Sequence, residues 1–189
     1  MNKEVLPGII KQFEYYKMLG EKTFSQLTDE QLFEKFNEES NSISTIVKHL
    51  WGNMMSRWTD FLTTDGEKEW RQRDAEFEND IATRNELMKK WDEGWSCFLS
   101  ALCTLTEDDL DKEIFIRNQA HTVYEAMHRQ LAHYSYHIGQ IVFIGKMYSN
   151  TNWKSLSIPK GNSNEYNTNK FSQPKQRTHF TDEFLEDKK

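Results

Sequence analysis

Apolar residues recur along this chain at intervals of three and four, the spacing that gathers them on one side of an α-helix. The first such run extends from about Val5 to Thr23, with Val5, Ile9, Phe13, Tyr16 and Met18/Leu19 near one face. Thr28-Asp29-Glu30-Gln31 spells a capping box, in which a hydroxyl and a side chain three residues later satisfy each other's backbone N–H groups. It opens a short turn through Leu32 and Phe33. A second long helix starts near Ser42 or Ser44. Its stripe is Ile43, Ile46/Val47, Leu50, Met54, Trp58 and Phe61, and Asp65-Gly66 is the predicted end. Thr83-Arg84-Asn85-Glu86 is a further capping box, opening a third helix that buries Leu87, Trp91, Trp95, Phe98, Leu102 and Leu105. Thr122-Val123-Tyr124-Glu125 opens the fourth, which runs to about Tyr148 on Val123, Met127, Leu131, Tyr134, Ile138, Ile141/Val142 and Gly145.

The segments between these runs are less regular. Glu67 to Ala82 is dense in charge and poor in apolar anchors, which reads as a solvated loop with a helical turn, or as a cover for a pocket. Thr106 to Leu110 closes the third helix with a short turn, and Glu113-Ile114-Phe115-Ile116-Arg117 has the pattern of an extended stretch. After Asn150 the composition shifts to Asn, Ser and Thr with two of the three prolines, and the end is charged. Four amphipathic helices of roughly 20 residues, each about 30 Å long, predict an all-α four-helix bundle. The expected organisation is one bundle over residues 1–149 and an extended or partly disordered C-terminal tail over 150–189.

Composition narrows the function classes. The chain has 189 residues with 6 Trp, 7 Tyr and 12 Phe, enough large rings to fill a core and to exclude wholesale disorder. With 24 Lys and Arg against 30 Asp and Glu, and no concentrated basic stretch, nucleic acid is a poor partner. Cys97 and Cys103 stand six apart on one predicted helix, pointing to nearly opposite sides, so a bond between them is not expected. Two buried thiols, no signal-peptide core and no stretch apolar enough for a membrane give a cytoplasmic expectation.

The candidate chemistry lies in the histidines. His133 and His137 are four apart in Ala132-His133-Tyr134-Ser135-Tyr136-His137-Ile138, one helical turn above each other, where two imidazoles can share one divalent ion. His49 flanks the apolar stripe of the second helix as His137 flanks that of the fourth, so both helices can present imidazoles to one pocket beside the core. Three protein ligands leave room for water or substrate, as in catalytic zinc sites. Read alone, a histidine at a stripe edge such as His49 is usually a hydrogen-bonded boundary residue. Asn53, one turn after His49, and Gln140 are candidates for orienting the ligands or a bound water. His121 and His128 read as surface residues, and His179 lies in the tail.

These residues resemble the DinB-like (YfiT/DinB) superfamily of bacterial metal-binding four-helix bundles. Leu131 to Ile141, ending in His137-Ile138-Gly139-Gln140-Ile141, resembles the metal-binding helix of that superfamily, and Ile46-Val47-Lys48-His49-Leu50 its partner motif. The likeness covers about Met1 to Ser149, and Trp153 to Gly161 is similar to the tail of one branch. The resemblance implies a divalent metal, zinc or nickel foremost, on His49, His133 and His137, with an open coordination site and a homodimeric bundle. It also implies a metal-dependent thiol S-transferase or hydrolase acting on a small electrophilic substrate, since some relatives use bacillithiol, mycothiol or glutathione. No residue here identifies such a low-molecular-weight thiol. The alternative is a non-catalytic module in which metal staples two helices.

Overall fold

The computed structural model describes residues 5–185. Seven helices and one hairpin follow in the order α1 (Val5–Phe24), α2 (Asp29–Phe33), α3 (Ile43–Trp58), α4 (Arg84–Cys103), β1 (Glu113–Ile116), β2 (Gln119–Thr122), α5 (Val123–Ser149), α6 (Ser163–Phe171) and α7 (Asp182–Leu185). The described chain is mostly helical, as the periodicity predicts. Three helix starts are set by threonine hydroxyls that accept backbone N–H groups: Thr28 from Gln31, Thr83 from Glu86 and Thr122 from Glu125. Thr28 and Thr122 form full capping boxes. At α4 the Glu86 carboxylate accepts instead from the N–H of Ala82.

The long helices α1, α3, α4 and α5 meet in one core, and its middle is aromatic. Phe13 of α1 meets Phe98 of α4 edge-on at 4.5 Å, and Phe98 meets Tyr134 of α5 at 5.1 Å. Trp95 lies 5.8 Å from Tyr134, and all four side chains are fully buried. Such edge-to-face pairs add about 0.5–1.5 kcal/mol each to the area they bury. Trp58 of α3 joins the cluster 4.9 Å from Phe98, and the Tyr134 hydroxyl of α5 donates to Asn53 of α3, so the two histidine-bearing helices lie against each other.

Several local expectations are corrected. Helix α3 stops at Trp58, not at Asp65-Gly66, because Asp60 turns left-handed (φ 49°) and its carbonyl accepts the N–H groups of Thr63 and Thr64. The released strand carries Gly66 to the hairpin, where its N–H donates to the Phe115 carbonyl at 2.8 Å. The extended stretch at Glu113 is half of an antiparallel hairpin whose second strand pairs Ile116 with Gln119, leaving a two-residue turn of Arg117 and Asn118. Cys97 and Cys103 are both free, but Cys103 is exposed rather than buried. The tail is not extended throughout. Its end folds back on α1, where Asp182 pairs with Lys11 at 2.6 Å and the rings of Phe180 and Phe184 pack on Tyr15. Among the described residues no helix is long and apolar enough to cross a membrane.

Candidate metal centre

His49 projects from the middle of α3, and His133 and His137 from adjacent turns of α5. One ring nitrogen from each lies within 4.8 Å of the others. His133 is the hinge of the set. Its Nε2 stands 3.3 Å from Nε2 of His49 and 3.1 Å from Nε2 of His137. Two imidazole nitrogens sharing one ion at about 2.0–2.1 Å are about 2.9–3.4 Å apart for angles between square and tetrahedral. Both observed separations fall in that range.

The outer faces of the rings determine which protons they carry. Nδ1 of His49 donates to Glu76 Oε2 at 2.8 Å, and Nδ1 of His137 donates to Gln140 Oε1 at 2.8 Å. With the one N–H of a neutral ring on Nδ1, each of these two rings leaves its Nε2 as a lone pair facing His133. His133 Nε2 can supply one proton at most, which leaves at least one short N···N contact with no hydrogen to share. A cation among the three nitrogens removes that conflict, so the donor set fits a metal. Burial, then the neighbouring His137 and His49, lowers the His133 pKa to about 3. Burial and His49 lower that of His137 to about 4, so these two rings are neutral and open to an ion near pH 7.

A second layer steadies His49. The ring of Phe77 stacks on it with centroids 5.0 Å apart. Arg71 grips Glu76 from behind, with Nε to Oε1 at 2.7 Å and a terminal nitrogen to Oε2 at 3.0 Å. Burial alone would raise the Glu76 pKa, but the hydrogen bonds from His49 and Arg71 and the Arg71 charge outweigh it and hold the carboxyl below its ordinary value. Room for the carboxylate comes from Gly52, since a Cβ there would lie 2.2 Å from Glu76 Oε1.

The structure therefore brings together His49, His133 and His137 as the sequence predicts, with Gln140 against His137. Asn53 is hydrogen-bonded to none of the three rings. Its Oδ1 accepts the Tyr134 hydroxyl at 3.2 Å, and it lines the cavity in front of His49 and His133. His121, His128 and His179 make local contacts elsewhere, with Arg129, Tyr124 and Thr181. Sequence reasoning missed Glu76 and Arg71, which lie in the charged stretch read first as a solvated loop. That stretch is mostly exposed and contains a short helical turn at Asp74–Phe77, as its first reading has it, but within it Glu76 is buried against His49. The available signal was Gly52, a helix-interior glycine three residues after the histidine.

Comparison with curated proteins and with solved structures returned no match. A family model matches residues 1–162, so with this three-histidine helical framework the chain belongs to the family described as DUF1572, a protein family of unknown function.

Proposed function

We propose that this protein is a metal-dependent enzyme of the DinB-like superfamily. In this reading its four long helices form the superfamily's bundle, and His49, His133 and His137 hold one divalent ion. The observation that carries the reading is the pair of Nε2 separations, 3.1 and 3.3 Å, between rings whose outer nitrogens are already committed as donors. A divalent ion with three protein ligands keeps a position for a thiol or water and acidifies it, which suits transfer to, or hydrolysis of, a small electrophile.

The chain's own residues have separate tasks here. Glu76 and Gln140 hold the His49 and His137 rings in the tautomer that presents Nε2, and Arg71 keeps Glu76 charged. Asn53, fixed by Tyr134, offers its amide to whatever enters the cavity. The covering turn at Asp74–Phe77 limits water access on one side.

The test starts from protein purified without chelator. Metal content near one ion per chain is expected, falling at least tenfold in His137→Ala, and a normal content in that variant rejects the site. Metal-loaded protein should also bind a small thiol in a metal-dependent manner, seen as a charge-transfer or d–d change after cobalt substitution. If stripping the metal lowers only the melting temperature and no thiol or electrophile binds, the enzyme reading fails.

A further inference from the structure

Beside the three histidines the wall of the site is basic, in a chain whose formal net charge is -6. A cavity of about 220 Å³ is lined by His49 and His133 together with Arg57, Arg71, Arg73, Arg117 and Arg129. Five guanidinium groups in one small cavity repel one another unless anions intervene. Two carboxylates do so, and they are heavily shared. Glu67 Oε2 alone lies 2.9 Å from Arg57, 3.2 Å from Arg71 and 3.3 Å from Arg117. Glu76 is taken up by Arg71 and His49. Arg73 and Arg129 have no carboxylate partner among the described residues. The first lies over the Phe77 ring, and the second contacts a nitrogen of His121. The cavity therefore retains an excess of positive charge at its lining.

A further feature points the same way. Arg117 sits at the tip of the hairpin with φ 57°, a left-handed conformation that a long side chain adopts at a cost. The Asp65 carboxylate imposes that conformation by accepting the N–H groups of Arg117 and Asn118, each at 2.8 Å. An Asn-Gly turn would satisfy the same two-residue loop without strain. The fold instead places there an arginine that lines the cavity.

We propose that this cavity binds the oxyanion end of a small substrate, a phosphate or a carboxylate, on Arg73, Arg117 and Arg129. A planar guanidinium pairs with either group through two parallel hydrogen bonds. Arg57 and Arg71 serve as scaffold, since Arg57 also donates to the Gly66 carbonyl at 2.7 Å and Arg71 clamps Glu76. The volume lies below the ~300 Å³ at which drug-sized sites begin, so the ligand is compact. The substrate's reacting group then lies toward His49 and His133; this last step rests on the metal reading above, whereas the anion site rests on the arginines.

Calorimetric titration of inorganic phosphate and of malonate into metal-free protein tests the site independently of the metal. Saturable binding of at least one of them is expected, weakened roughly tenfold or more in Arg117→Gly and in Arg129→Gln. Arg117→Gly should keep the wild-type melting temperature, because glycine relieves the left-handed backbone, so lost binding there is not lost folding. Lys146→Gln removes one positive charge about 25 Å further along α5 and should leave binding unchanged. Absence of saturable binding, or an equal loss in Lys146→Gln, overturns the proposal. The tighter of the two anions identifies the headgroup. Metal content measured in parallel shows whether the metal reading has failed separately.

Discussion

The Glu76 carboxylate reaches across from the covering turn to lie 2.8 Å from Nδ1 of His49, and it is the only acidic group hydrogen-bonded to the histidine cluster among the described residues. A carboxylate behind a ligating imidazole fixes the ring and makes its other nitrogen more basic. Glu76→Gln keeps the shape and loses the charge. Metal affinity should fall by about 10–100-fold, measured by competition with a chromophoric chelator, while far-UV circular dichroism stays as in the wild type. Equal affinity would show that Glu76 merely closes the loop.

Gly52 gives an independent handle on the same contact. Glycine inside a helix costs about 1 kcal/mol relative to alanine, so by propensity alone Gly52→Ala stabilises α3. Its added methyl carbon would meet Glu76 Oε1 at 2.2 Å, and either the carboxylate or the whole turn must shift. Gly52→Ala should therefore weaken metal binding to a degree comparable with Glu76→Gln. Chelator competition on the two single variants and the double variant decides this: non-additive losses mark a shared mechanism.

Acid should destabilise the metal-free protein in a defined window. His133 and His137 titrate near 3 and 4 when folded, against 6.5 for a free imidazole. Between about pH 6.5 and 4 the unfolded chain takes up protons that the native state refuses, so stability falls as pH falls. Above pH 7 both states are neutral at these positions and the contribution is complete. Urea midpoints across this range should decline in the wild type and decline less in His133→Asn/His137→Asn. Parallel profiles for the two proteins would remove these rings from the account.

Core and surface aromatics should separate cleanly. Phe98 is fully buried between Phe13, Trp58, Trp95 and Tyr134, and Phe98→Ala should cost about 3–5 kcal/mol in urea unfolding. Phe143 on the outer face of α5 is 67% exposed, and Phe143→Ala should stay within about 0.5 kcal/mol of the wild type. A large loss at Phe143 would mean that this face is covered in solution.

The helical framework and the pair His133 and His137 were readable from the chain alone, because helix geometry ties positions three and four apart to one face and threonine caps mark where turns begin. His49 could be placed on the right flank by the same arithmetic, but its distance from α5 depends on how two helices pack. Everything that gives the site its character needed the tertiary fold. Glu76, Arg71 and Phe77 belong to a stretch without periodicity, so their burial is decided by the neighbour that receives them and not by their spacing. The arginines of the cavity come from α3, the charged stretch, the hairpin tip and α5, and charge scattered over 73 positions of sequence becomes a single field only when folding removes the water between them.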